Sequence, residues 1–155
     1  MGANDSILDI LENGYRIPLK SEPQSCFLKN NKSALERGSF VENEIQELLN
    51  SGRIREVDQP PYLVNPLSVS TNGSKNRLIL VLSWLNLFVY KEKIKFDDWK
   101  AMLHFVEKGV YLFKFDISQG YHHIDLSDEH QKYMGFSWEI NGKVRYFVFT
   151  VLPLV

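Results

Sequence analysis

A single cysteine, Cys26, stands in the 155-residue chain. It excludes an internal disulfide and points to a reducing compartment or to indifference to redox state. No apolar run approaches the ~18 residues of a membrane span, and no charged-then-apolar leader opens the sequence. We therefore expect an intracellular protein, cytoplasmic or nuclear, with no membrane partner. Met1-Gly2-Ala3-Asn4-Asp5-Ser6 fits the loose pattern for N-myristoylation. No basic cluster follows it, and one acyl chain alone anchors poorly. Neither sign of charge dominates: 18 basic residues stand against 19 acidic ones. A basic nucleic-acid binder is disfavoured by that total. The distribution softens the point, with 7 basic and 10 acidic residues in 1–58 and 11 and 9 in 59–155. Also missing are a Gly-rich phosphate loop, a Gly-x-Ser-x-Gly elbow, a Cys-x-x-Cys pair, internal repeats and low-complexity tracts. The common signatures of nucleotide, hydrolase and metal sites go with them.

What remains is an ordinary globular composition, 44% hydrophobic, 24% charged and 13% aromatic, at a length typical of one domain. Asp5 or Ser6 can cap a short helix carrying Ile7, Leu8, Ile10 and Leu11, which Gly14 ends. Residues 18–34, with Pro18, Pro23 and Asn30-Asn31, read as an irregular connection. From about Phe40 to Asn50, the spacing of Val41, Ile45, Leu48 and Leu49 predicts an amphipathic helix stopped at Gly52.

Pro60-Pro61 and Pro66 confine the next stretch to strand edges and loops. Leu67–Ser70 and Arg77–Leu82 predict a hairpin with a long, flexible tip over 71–76. Trp99, Met102, Leu103 and Val106 form a helical stripe closed by Gly109. Val110–Ile117 reads as a strand. Met134–Ile140 and Lys143–Val151 predict a tight hairpin around Asn141-Gly142, since Asn-Gly accepts the positive φ values such a turn demands. The mixture is α+β.

Three groups of residues could carry chemistry. Asp116 closes an apolar strand, where a carboxylate can face a cleft and hold a hard cation such as Mg²⁺. Asp in that position also commonly caps the turn that follows. Tyr121-His122-His123 invites a zinc site, but adjacent histidines diverge on regular structure and no second cluster supplies the missing ligands. Lys75 and Arg77 form a basic pair at the hairpin tip and its outgoing strand. They suit either phosphate capture or plain solvation.

The order of these segments resembles the fingers and the first half of the palm of reverse transcriptases from retroelements, in the style of Gypsy-type and DIRS-like elements. The resemblance covers about 110 residues from Glu42 onward. It runs through Glu42–Val57, Asn65-Pro66-Leu67-Ser68-Val69, Asn72–Ile79 and Leu85-Asn86. It is most specific at Phe113-Lys114-Phe115-Asp116-Ile117-Ser118-Gln119-Gly120-Tyr121-His122-His123-Ile124, which is similar to the family's first catalytic motif. Lys132–Phe136 and Tyr146–Pro153 fall where that family has its next palm hairpin.

The resemblance implies a nucleotidyltransferase, an RNA-directed DNA polymerase, with RNA or DNA template-primer as partner. Asp116 would be the first metal-binding carboxylate and the carbonyl of Ile117 a second ligand for Mg²⁺ or Mn²⁺. Arg77 would clamp the triphosphate, with Lys75 beside it. Gly120 would admit the sugar, and Tyr121 would act as a steric gate against the ribose 2′-hydroxyl, selecting deoxynucleotides. It further implies an N-terminal extension over 1–41, fingers over 42–108 and a partial palm over 109–155.

Two departures bear on activity. Val81 stands where the family usually has Asp. After Leu152-Pro153 the sequence reads Leu154-Val155, and the Tyr-x-Asp-Asp or Phe-x-Asp-Asp motif does not follow. Two-metal phosphoryl transfer holds its ions ~3.5–4 Å apart, and a lone Asp116 cannot hold both. The expected protein is therefore a truncated reverse transcriptase domain of a retrotransposon without activity of its own. The alternative is a non-catalytic module derived from one, binding nucleic acid or protein. A palm cut after the Met134–Val151 hairpin should expose a sheet edge able to pair with a partner such as a complementing palm half.

Overall fold

The computed structural model describes residues 5–91 (Ser6 by its backbone alone), 100, 103, 108–109, 111, 113 and 120–154. Of the expected helical stripe Trp99, Met102, Leu103 and Val106 only Leu103 is described, helical and exposed. Of the expected strand Val110–Ile117 only Tyr111 and Phe113 are described, both exposed and outside any strand, and Asp116 and Ile117 lie outside the described residues. The rest is α+β with one mixed sheet.

The strands are β1 (Cys26–Phe27), β2 (Ile54–Val57), β3 (Leu63–Val64), β4 (Leu67–Asn72), β5 (Lys75–Leu80), β6 (Gly135–Ile140) and β7 (Lys143–Phe149). Five form a sheet in the order β1-β3-β6-β7-β2, while β4 and β5 form a separate two-stranded ribbon. The helices described over their whole length are α1 (Asp5–Asn13), α2 (Lys32–Leu35), α3 (Gly38–Asn50) and α4 (Asp128–Gln131), with short 3₁₀ turns at Leu85–Leu87 and Gly120–His123.

The β6–β7 hairpin organises the sheet. Asn141 takes φ 54° and Gly142 φ 75°, the paired left-handed values of a two-residue turn that matches strand twist. Ile140 then pairs with Lys143 and Phe136 with Phe147. This register sets Phe136 and Phe147 in a stack, ring centroids 5.1 Å apart, with Phe149 5.7 Å from Phe136. The predicted stripe of α3 covers that face: Val41, Ile45 and Leu48 are buried, together with Ala34 of α2 and Ile54 of β2. Burying a side chain of the size of Phe or Ile stabilises by ~1.5–3 kcal/mol each, so this layer is a substantial part of the fold's cohesion.

Two readings of the sequence need correction. Residues 18–34 are not wholly irregular, because β1 lies within them and α2 begins there. β1 borrows its order from elsewhere: it pairs in parallel with β3, and Asn30 links two strands, donating to Ser137 O at 2.8 Å and accepting from Leu67 N–H at 2.8 Å. The β4–β5 ribbon has no long tip, since Asn72 pairs with Lys75 and only Gly73-Ser74 makes the turn. β2 pairs antiparallel with β7 from Ile54↔Phe149 to Val57↔Tyr146 and forms that end of the sheet, and Glu56 adds a paired hydrogen-bonded contact with Arg145.

The chain moves from the sheet into the ribbon at Asn65-Pro66. Asn65 is fully buried; its backbone N–H donates to Gly135 O at 2.8 Å, and its side-chain amide donates to the carbonyls of Tyr133 and Gly135 at 2.9 and 3.0 Å. This staple fixes where the β4–β5 ribbon leaves the sheet.

Candidate functional site

The site forms where the β4–β5 ribbon, α3 and the continuation of β7 converge. Past Phe149, the chain bridges to the segment that follows the Gly120–His123 turn. Leu126 N–H donates to Thr150 O at 2.8 Å and Leu152 N–H to Ile124 O at 2.9 Å, with an antiparallel bridge between Asp125 and Val151. Thr150 is also tied to the end of α3, its N–H donating to Arg53 O at 3.0 Å and its hydroxyl to Gly52 O at 2.8 Å. On the other side Leu80 N–H of β5 donates to Leu154 O at 3.2 Å. These bonds hold the 120–123 turn, the ribbon and the helix around one hollow.

That hollow is a cleft of about 310 Å³. Glu44 and Leu48 of α3 form one wall, and Asn76, Arg77, Leu78 and Leu80 of β5 another. Tyr121 and His122 line it from the 3₁₀ turn, with Phe149 and Leu154 completing it. Arg77 and Tyr121 are exposed, Tyr121 at 61%. A planar cation and an aromatic ring thus lie open at one apolar-based cleft, an arrangement able to take a phosphate and a ring-bearing ligand together.

The electrostatics are set by two further groups. His122 has its Nδ1 enclosed without a hydrogen-bond partner. Burial chiefly, and then the charges of Arg53 and His123, hold its imidazole below the ordinary histidine value. Glu44 is pushed the other way, above the ordinary carboxylate range, by burial and by the neighbouring Glu47. Both shifts favour the neutral forms.

Of the residues singled out in the sequence, Arg77 and Tyr121 come together in this cleft. Lys75 is exposed beside the ribbon turn and is not part of the lining, and Gly120 opens the 3₁₀ turn half-buried. Asp116 and Ile117 lie outside the described residues. Among the described residues no three His, Cys, Asp or Glu side chains gather as metal ligands, so no metal chemistry is derived from them. No helix among them is long and apolar enough to cross a membrane.

Glu44, His122 in its cleft role and Leu154 were not foreseen. Glu44 carried a legible signal, because it sits four residues before Leu48 on the rim of the buried α3 stripe.

No protein-family model matches the chain. Two curated proteins of Drosophila melanogaster are similar to it. The retrovirus-related Pol polyprotein from transposon 297 is 30% identical over 101 residues, 63% of this chain and 10% of the relative. The retrovirus-related Pol polyprotein from transposon opus is 28% identical over 110 residues, 68% of this chain and 11% of the relative. The chain therefore spans about a tenth of the length of these relatives. Its homologues are Pol polyproteins of transposons, which supports a retroelement Pol origin.

Proposed function

We propose that the chain is the fingers and first part of the palm of a retrotransposon reverse transcriptase, and that its cleft receives a deoxynucleoside triphosphate. The observation that carries this reading is the meeting of Arg77 and Tyr121, remote in sequence, at one cleft of about 310 Å³. In this reading the guanidinium of Arg77 takes triphosphate oxygens through its fork of N–H donors. The Tyr121 ring lies under the sugar and excludes a 2′-hydroxyl. Lys75 lies at the ribbon tip toward incoming phosphate or template, and Gly120 lets the sugar approach the turn. Asp116, with the Ile117 carbonyl, would hold Mg²⁺, which supplies charge stabilisation to phosphoryl transfer when bound. The template-primer partner would run past the ribbon.

The paired-aspartate motif required for two-metal transfer is absent from these 155 residues. Purified chain is expected to bind deoxynucleotide yet extend no primer until a segment carrying that motif is supplied. Titration calorimetry with thymidine triphosphate and its ribose counterpart tests the binding half. Arg77→Ala is expected to weaken both ligands at least about tenfold, the loss of one charge-assisted contact worth ~1.5–3 kcal/mol. Tyr121→Ala is expected to erase the preference for deoxyribose. Equal binding of both sugars by the unmodified chain would sink the reading.

A further inference from the structure

The cleft contains two titratable groups that the nucleotide reading leaves unused, and they sit on different walls. His122 lines it from the 120–123 turn and Glu44 from α3. The enclosed His122 Nδ1 has no hydrogen-bond partner, an arrangement that costs free energy while the ring is neutral and becomes worse if it is charged with no anion nearby. The charged and titratable neighbours are Glu47 beside Glu44 on α3, Arg53 at the turn into β2, Arg77 on β5, and Tyr121 and His123 on the same turn as His122. In the empty cleft, burial first, and then Arg53 and His123 beside the histidine and Glu47 beside Glu44, holds each toward its neutral form.

An anion entering beside Arg77 reverses the balance at one group and reinforces it at the other. Negative charge near His122 favours imidazolium, and negative charge near Glu44 favours the protonated acid. Both changes bind a proton. We propose that the cleft is a proton-coupled anion site, in which capture of a polyphosphate drives protonation of His122 and Glu44. This rests on the nucleotide reading for its ligand and adds the control of that site by pH. The sign follows directly: if the bound state holds more protons than the free state, affinity rises as pH falls. The triphosphate's own last ionisation opposes this, since capture favours its fully ionised form, and that contribution is common to every variant.

The test uses the full chain and thymidine triphosphate. Calorimetry at pH 6.0 and 7.5, in paired buffers of different ionisation heat, gives the protons exchanged on binding. Relative to the unmodified chain, His122→Gln and Glu44→Gln are each expected to shift that balance toward release. Glu44→Gln is also expected to bind roughly threefold more tightly at pH 7.5, because a like charge has left the cleft. NMR titration of the His122 ring in the unmodified chain reads the same coupling without a variant that must fold. Its titration is expected to move to higher pH when ligand is added. Binding with an identical proton balance in all three proteins, or a His122 titration that ligand leaves in place, would overturn the coupling while leaving the nucleotide site intact. Absence of binding at either pH would overturn the site itself.

Discussion

At the scale of single residues, Gly135 and His130 show how close packing and charge state bind the N-terminal and central segments together. A Cβ added at Gly135 would lie 2.4 Å from the Pro61 ring and 2.6 Å from Leu63 O, so backbone as well as side chain would have to yield. Gly135→Ala is expected to cost ~1–3 kcal/mol, read as a lower urea midpoint at unchanged slope. His130 accepts the Ile17 N–H at its Nδ1 across 2.8 Å, which requires that nitrogen to be unprotonated. Burial, with Arg16 and Lys132 against the opposing pull of Glu129, holds the imidazole below its ordinary value. The unfolded chain therefore takes up a proton near pH ~6.5 while the folded chain does not. Stability should fall as pH drops below that point and stop falling once the folded ring also protonates. His130→Asn keeps an acceptor without the titration. Its denaturation midpoint is expected to decline less than that of the unmodified protein between pH 7.5 and 5.0, and an equal decline would assign the pH dependence elsewhere.

At the scale of elements, the N-terminal region divides at Gly14. α1 leaves Ile7, Leu8 and Leu11 exposed at 52, 43 and 74%, so the apolar face seen in its sequence is not matched by burial. The strand-like stretch after it is woven in: Tyr15 N–H donates to Asp125 O at 2.7 Å, Ser127 N–H to Tyr15 O at 3.1 Å, and Lys20 N–H to Phe88 O at 2.7 Å. Removal of residues 1–13 is expected to leave a cooperative unfolding transition nearly unchanged. Removal of 1–24 deletes buried Ile17 and these bonds, and should abolish it. Circular dichroism melts of the two deletions decide the matter; equal behaviour would contradict this division.

Legibility from sequence varied with the range of the cause. The β6–β7 hairpin was readable because Asn141-Gly142 dictates its own backbone, and α3 because Val41, Ile45 and Leu48 repeat at a helical period. β1 was not, since Cys26-Phe27 becomes a strand only by pairing with Leu63-Val64. The length of the β4–β5 ribbon was likewise hidden, as Asn72, Lys75 and Asn76 pair across it despite weak strand preference. At the site, Arg77 stood out as half of a basic pair and Tyr121 beside two histidines, while their roles at triphosphate and sugar came through the family resemblance. Their proximity depends on backbone bonds from Leu80 to Leu154 and from Ile124 to Leu152, which no local pattern announces. Glu44 and His122 join them through the same long-range pairing.

For the whole molecule, the mixed sheet, the ribbon and α3 act together to frame one cleft. The proposed function puts its ligand there. The most direct measurement is an amide NMR map of the full chain titrated with thymidine triphosphate. Perturbations are expected to saturate together at Glu44, Leu48, Arg77, Leu78, Tyr121, His122 and Leu154, while a second, more polar hollow lined by Asn13, Gly14, Asp125 and Asp128 stays unaffected. Saturable shifts centred on that second hollow, or none at the β5 and 120–123 walls, would contradict it.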